Sequence, residues 1–227
     1  MNPTNNQPRS DSRARAVLWD MDGTLIDSMP YHWQAWQDIL RQVNRHVEYG
    51  VWNQTMGMRN REIIALLFPD MSLEQGQYVD RAKENRYREL IERHGIELLP
   101  GVSEWIQRFQ AAGWKQAVAS SAPPENVATI AHVLHLNGTF GAMVSGTDVQ
   151  RGKPDPDIFL AAAQRLHVEP QICLVIEDAT TGIEAAHRAG MKAIGVLNSH
   201  SHLEADLVIK SMQDLTWEMI ENLVRAK

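Results

Sequence analysis

The sequence points to an α/β chain, a doubly wound parallel sheet interrupted by an all-helical insertion. Short apolar runs recur along it, continuous rather than alternating, as strands covered on both faces require. Stretches with helical period separate these runs, and strand–helix–strand repetition builds parallel sheets with helices on either side. The segment from Ser28 to Leu98 breaks the rhythm, with helical period and no convincing strand.

Taken in order, Met1 to Ala14 is rich in Asn, Pro, Ser and Arg and predicts a disordered tail. Ala16–Trp19 reads as the first strand. The insertion follows, with helices over Tyr31–Val43, Arg61–Leu67 and Leu73–Arg93. The turn Leu99-Pro100-Gly101 then returns the chain to the core. Beyond it, helices over Val102–Ala112, Pro124–Leu134, Pro156–Leu166 and Thr180–Ala189 alternate with strands. Those strands are Gln116–Ala119, Ala142–Val144, Ile172–Ile176 and Ala193–Val196. Ala205–Ile209 adds an edge strand and Thr216–Val224 a closing helix. The expected organisation is a tail over 1–14, a Rossmann-like catalytic core over 15–27 and 99–227, and a helical cap over 28–98.

Composition narrows the class. The 227 residues are 44% hydrophobic, enough for one core with a smaller insertion. Lys and Arg total 22 against 28 Asp and Glu, a net charge of -6. Such a chain is repelled by phosphate backbones and anionic membrane surfaces, so neither nucleic acid nor membrane is an expected partner. No apolar run is long enough to cross a bilayer and no signal-peptide pattern opens the chain, so a soluble cytoplasmic protein is expected, taken as a monomer by default since nothing in the sequence sets its oligomeric state. The single cysteine, Cys173, lies in an apolar run and reads as a buried packing residue.

Four strand-end motifs carry the chemistry. Asp20-Met21-Asp22-Gly23-Thr24 follows the first strand directly. Ligands of open α/β sheets bind beyond the carboxyl ends of strands, so this turn faces the expected site. One of its carboxylates can attack phosphorus while the other handles a proton. Ser120 ends the strand Gln116–Ala119 and could hydrogen-bond a phosphoryl oxygen; with Pro123 and Pro124 following, helix capping is the competing reading. Lys153, held between Gly152 and Pro154, can aim an ammonium at crowded negative charge. Glu177 and Asp178 end an apolar strand with no neutralising neighbour, which suits an oxygen-liganded Mg²⁺; capping by Asp178 is the alternative. Nucleophile, proton carrier, hydroxyl, ammonium and metal ligands together form the set that phosphoryl transfer needs.

In these motifs, and in their order from Arg15 to Val196, the chain resembles the haloacid dehalogenase superfamily, in its capped phosphatase and β-phosphoglucomutase-like branch. The resemblance implies Asp20 as a nucleophile that is transiently phosphorylated and Asp22 as general acid and then base. It implies Ser120 and Lys153 as the phosphate-binding pair, with backbone groups near Gly23 and Ser121 beside the phosphoryl group. It implies Mg²⁺ held by Asp20, the carbonyl of Asp22 and Asp178, with Glu177 behind. The substrate implied is a small phosphorylated metabolite, most simply a sugar phosphate. Tyr31-His32-Trp33-Gln34-Ala35-Trp36 is similar to the branch's first cap helix, where His32 couples cap closure to catalysis.

The cap loop departs from the mutase pattern. Met56 stands where mutases usually have Lys, Asn60 where they have Arg, and Ala122-Pro123-Pro124 replaces a more polar run. A mutase must hold a bisphosphate at both ends and needs cationic contacts in the cap, whereas a phosphatase needs one phosphate site. The expectation is therefore a phosphoric monoester hydrolase, with a sugar phosphomutase as the alternative and Arg59 as the cap residue that touches substrate. A receiver-like phosphoacceptor domain also uses aspartate, Mg²⁺, hydroxyl and lysine, but it is shorter and lacks the helical insertion.

Overall fold

Six strands form one fully parallel sheet in the computed structural model, which describes residues 15–55, 58–198 and 202–225. The tail expected over Met1–Ala14 lies outside the described residues, as do Met56 and Gly57. The strands are β1 (Ala16–Trp19), β2 (Lys115–Ala119), β3 (Ala142–Val144), β4 (Cys173–Glu177), β5 (Lys192–Val196) and β6 (Leu207–Ile209). Their spatial order is β3-β2-β1-β4-β5-β6. β1 lies between β2 and β4, so the strand order reverses there, and such a switch point is where these sheets place ligands.

The helices between strands are α1 (Met29–Gln42), α2 (Tyr49–Asn53), α3 (Asn60–Leu67), α4 (Leu73–His94), α5 (Val102–Ala111), α6 (Pro124–Val133), α7 (Asp157–Leu166), α8 (Thr180–Arg188) and α9 (Trp217–Arg225). Side-chain alternation along β1 divides the core in two. Val17 and Trp19 face one layer with Trp105, Phe109, Ile130 and Ile220 of α5, α6 and α9. Ala16 and Leu18 face the other, with Phe159, Ala162, Ile183 and Ala186 of α7 and α8. Both faces are dry, which is why these strands are continuously apolar.

Helices α1 to α4 form the insertion. Trp36, Ile39 and Leu40 of α1 pack with Trp52, Ile63, Ile64 and Val79 in a third cluster. Further along, Tyr87, Leu90 and Ile91 of α4 join the sheet's own core. Two linkers connect insertion and sheet, and they touch each other: Ile26 and Leu98 form an antiparallel bridge, and Leu99 N–H donates to Leu25 O at 2.8 Å. Ser72 caps α4, accepting from Gln75 N–H at 3.2 Å in a capping box.

Most bounds shift by a residue or two from expectation, and some of the differences have a visible cause. β4 starts at Cys173, because Pro170–Ile172 forms a 3₁₀ turn, and it runs through Glu177. The edge strand shortens to Leu207–Ile209, since the carboxylate of Asp206 takes the Ala193 N–H at 2.9 Å that a strand carbonyl would otherwise accept. α7 begins at Asp157 rather than Pro156. The short helix α2 was not expected; its five residues are anchored by buried Trp52 rather than by a periodic stripe. Cys173 is buried, as its apolar run implied.

Candidate active site

The nucleophile candidate is fixed by the sheet. Asp20 follows β1 and donates its N–H to Ile176 O on β4 at 3.0 Å, so it keeps strand register one residue beyond the strand. The chain then folds tightly back. Met21 O accepts from Leu25 N–H (2.9 Å) and Ile26 N–H (3.2 Å), and Gly23 N–H donates to Ile26 O (2.8 Å). Gly23 has φ 89°, in the left-handed region where a side chain would be strained. Its carbonyl is also held, by Asn198 Nδ2 at 3.0 Å. This turn presents two carboxylates at the sheet's edge rather than around a helix.

Lys153 arrives from the loop between β3 and α7. Its ammonium donates to Asp20 Oδ1 at 2.5 Å and to Glu177 Oε2 at 3.1 Å. All three side chains are less than a tenth exposed. Burial pushes the Asp20 and Glu177 carboxyls up, and the Lys153 charge opposes it in both. For Lys153, burial disfavours the ammonium but Asp20 and Glu177 outweigh it, so its pKa rises. Asp178 completes the group: one oxygen from each of Asp20, Glu177 and Asp178 lies within 4.8 Å of the others. Asp178 stands one residue before Ala179, which flanks α8, and its Oδ1 accepts from Thr24 Oγ1 at 3.4 Å. Three buried carboxylates with one ammonium are an all-oxygen donor set in excess of positive charge, which fits a hard divalent cation.

Glu177 reaches this group because α8 leaves room. A Cβ on Gly182 would stand 2.1 Å from Glu177 Cδ. Gly182→Ala is therefore expected to displace that carboxylate and to cost about 1–3 kcal/mol by overpacking. Urea denaturation checks this, and an unchanged midpoint would show that Glu177 has space to move.

Asp22 occupies a second environment. Ser28 Oγ donates to its Oδ1 at 2.5 Å, and His32 Nε2 lies 3.9 Å from the same oxygen. Burial raises the Asp22 carboxyl to about 6, the Ser28 hydrogen bond opposing and the Asp20 charge adding. His32 stacks on Tyr87 at 4.1 Å, and its Nδ1 meets Lys83 Nζ at 2.9 Å. An ammonium can only donate, so Nδ1 accepts and Nε2 carries the proton toward Asp22. Burial, then the Lys83 charge, lowers His32 from 6.5 to about 3.

This neutral histidine predicts acid sensitivity. Below pH 6.5 the unfolded chain protonates the ring and the folded chain does not, so stability falls as pH drops through that window toward 3. Between pH 6.5 and 5 the wild type should lose roughly 2 kcal/mol more than His32→Gln. Urea titrations of both proteins check it, and parallel losses would place the titration elsewhere.

Ser120 is buried at the end of β2. Its N–H donates to Val144 O (2.9 Å) and its Oγ accepts from Ala122 N–H (3.1 Å). The hydroxyl thus closes a local turn, while α6 begins at Pro124 with no side-chain cap. Ser121 is exposed beside it. Arg59 precedes α3 and is exposed; its Nη2 lies 3.3 Å from where a Cβ on Gly152 would be, against the Lys153 loop.

Asp20, Lys153, Glu177 and Asp178 therefore meet in one cluster, Asp22 and His32 face each other beside it, and Arg59 borders its loop. Sequence reasoning missed Lys83 and Glu84. Lys83 is 3% exposed, with Trp36 and Tyr87 rings 5.9 and 5.7 Å from its ammonium. Glu84 Oε1 accepts from it at 2.8 Å; burial works against ionisation, but the Lys83 charge holds the Glu84 carboxyl down at about 2. A lysine on the otherwise apolar stripe Val79, Tyr87, Leu90, Ile91 was the available signal.

A family model for haloacid dehalogenase-like hydrolases matches residues 14–190. The β-phosphoglucomutase of Bacillus subtilis is 35% identical over 213 residues, covering 91% of this chain and 93% of its own. A phosphorylated carbohydrates phosphatase of Thermotoga maritima is 31% identical over 190 residues, 81% of this chain and 86% of its own. Among solved structures, a haloacid dehalogenase-type hydrolase of family IA, variant 3, from Entamoeba histolytica superimposes with a TM-score of 0.84 at 26% identity, covering 93% and 99%.

Proposed function

Because the chain belongs to the haloacid dehalogenase-like hydrolases, in their capped branch, we propose that it is a Mg²⁺-dependent phosphatase of a small phosphorylated sugar, working through an aspartyl-phosphate. The observation that carries the reading is the cluster of Asp20, Lys153, Glu177 and Asp178, with a proton-carrying Asp22 two residues from the nucleophile.

A carboxylate oxygen of Asp20 attacks phosphorus, and the bond from phosphorus to the sugar oxygen breaks. Asp22, raised to about 6, is protonated in part of the population near neutrality and gives its proton to that departing oxygen. Water then attacks the phosphorus of the phosphorylated Asp20, Asp22 takes the water's proton, and inorganic phosphate leaves a regenerated carboxylate. Lys153, Ser120 and backbone groups near Gly23 and Ser121 hold the non-bridging oxygens. Asp20, the Asp22 carbonyl and Asp178 would hold Mg²⁺, with Glu177 behind, and the bound ion supplies positive charge against the phosphoryl oxygens. His32 orients Asp22, and Arg59 contacts the substrate from the cap.

The test is phosphate release from a panel of hexose, pentose and hexitol phosphates with Mg²⁺. Release is expected, with loss on chelation and recovery on adding Mg²⁺ back. No release across the panel, or turnover in chelator, would overturn the reading.

Identity to a β-phosphoglucomutase supports a second reading, sugar phosphate isomerisation. Against it, the amide of Asn60 is committed to Asp80 (2.9 Å) and Glu84 (2.6 Å), so that position offers no cation to a second phosphate. Adding glucose 1,6-bisphosphate to glucose 1-phosphate separates the two, since a mutase isomerises and the phosphatase releases phosphate.

A further inference from the structure

Helix α4 of the cap lies against α6 of the core, and one buried amide joins them. Asn126 of α6 is 1% exposed. Its Nδ2 donates to Glu84 Oε2 at 2.6 Å, and its Oδ1 accepts from Arg88 Nη1 at 2.8 Å. Glu84 and Arg88 are one turn apart on α4, so both ends of a single core side chain are engaged by the cap. A buried amide with both ends satisfied by another domain loses them together when that domain leaves.

Glu84 passes the contact inward. Its other oxygen, Oε1, accepts from Lys83 Nζ at 2.8 Å and Asn60 Nδ2 at 2.6 Å. Lys83 Nζ in turn donates to His32 Nδ1 at 2.9 Å, and His32 faces Asp22. The route from α6 to Asp22 is thus a chain of direct contacts between buried or half-buried side chains. It runs through Glu84 and does not involve the strand-end cluster around Lys153.

We propose that Asn126 is a latch by which the core holds the cap docked, and that docking through Glu84, Lys83 and His32 sets Asp22 in place. Asn126 is a positioning residue, since it touches neither Asp20 nor Asp22. The proposal rests on the phosphatase reading for its kinetic consequence, because what the latch controls is proton delivery to the leaving group.

The division of labour between the two Glu84 oxygens supplies the test. Asn126→Asp sets a carboxylate against Glu84 Oε2 while still accepting from Arg88. Adding Glu84→Gln reverses the polarity of that bond: the new amide nitrogen donates to position 126, and the amide oxygen still accepts from Lys83 and Asn60. In Asn126→Asp, kcat/KM for a sugar phosphate should fall about ten- to a hundredfold. With 4-nitrophenyl phosphate, whose leaving group needs little protonation, the change should stay within about threefold. The double variant should regain the sugar phosphate rate to within about threefold of wild type.

Hydrogen exchange of the α4 and α6 amides reads docking without turnover. It should quicken in Asn126→Asp and slow again in the double variant. Unchanged exchange in Asn126→Asp, a loss the double variant does not regain, or an equal loss on both substrates would each overturn the latch. If the wild type released no phosphate at all, the phosphatase reading would fail, while exchange would still decide the latch.

Discussion

Asp20→Asn is expected to remove turnover, by about a thousandfold or more, while leaving the protein folded. The substitution keeps the side-chain shape and replaces the attacking oxygen's charge with an amide that cannot displace an alkoxide from phosphorus. Folding should tolerate it because the charge removed is a costly one: burial already pushes the Asp20 carboxyl up, and Lys153 retains Glu177 as a partner at 3.1 Å. Asp22→Asn should differ in kind. It keeps the nucleophile, so an activated ester should still phosphorylate the enzyme, but the phosphoenzyme should persist because nothing takes the proton from water. Mass spectrometry after brief incubation with 4-nitrophenyl phosphate distinguishes the cases, with an adduct on Asp22→Asn and none on Asp20→Asn. Turnover by Asp20→Asn within tenfold of wild type would end the covalent route.

Lys153→Met should give the second large effect, in stability as well as activity. Removing one partner of a buried ion pair costs about 3–5 kcal/mol, because the other is left charged without compensation. Lys153 serves two carboxylates, with Asp178 close by. Without metal, Lys153→Met should therefore lose roughly 3 kcal/mol or more against urea, and a divalent cation should restore part of it. Mg²⁺ should accordingly stabilise the variant more than the wild type, in which the ammonium already offsets charge in the cluster. A loss below about 1 kcal/mol without metal would mean the carboxylates are neutral in the folded state and the ammonium is not their counter-charge. Activity should fall in either case, since a thioether cannot hold a phosphoryl oxygen.

The sheet was legible because its signal is local. Ala16–Trp19 and the run before Glu177 are apolar at every position, which a strand buried on both faces requires. The acids that follow were legible for the complementary reason, that a charge directly after a buried strand has to face something. The cap was harder to read. Its first helix and α4 carry a stripe and were placed closely, whereas α2 is too short for a period and depends on Trp52 finding Trp33 at 4.9 Å and Tyr49 at 5.8 Å.

From the chain alone came the residue types at the strand ends, their order, and the alternation that makes the sheet parallel. Tertiary structure decided which of them meet. Lys153 reaches Asp20 across 133 residues, and Asn126 reaches Glu84 across 42, so no periodicity links either pair. The same holds for Gly182, which reads as a helix residue and proves to be the space that Glu177 occupies. Period and propensity act over a few residues, whereas charge compensation and close packing are settled only where distant segments are brought into contact.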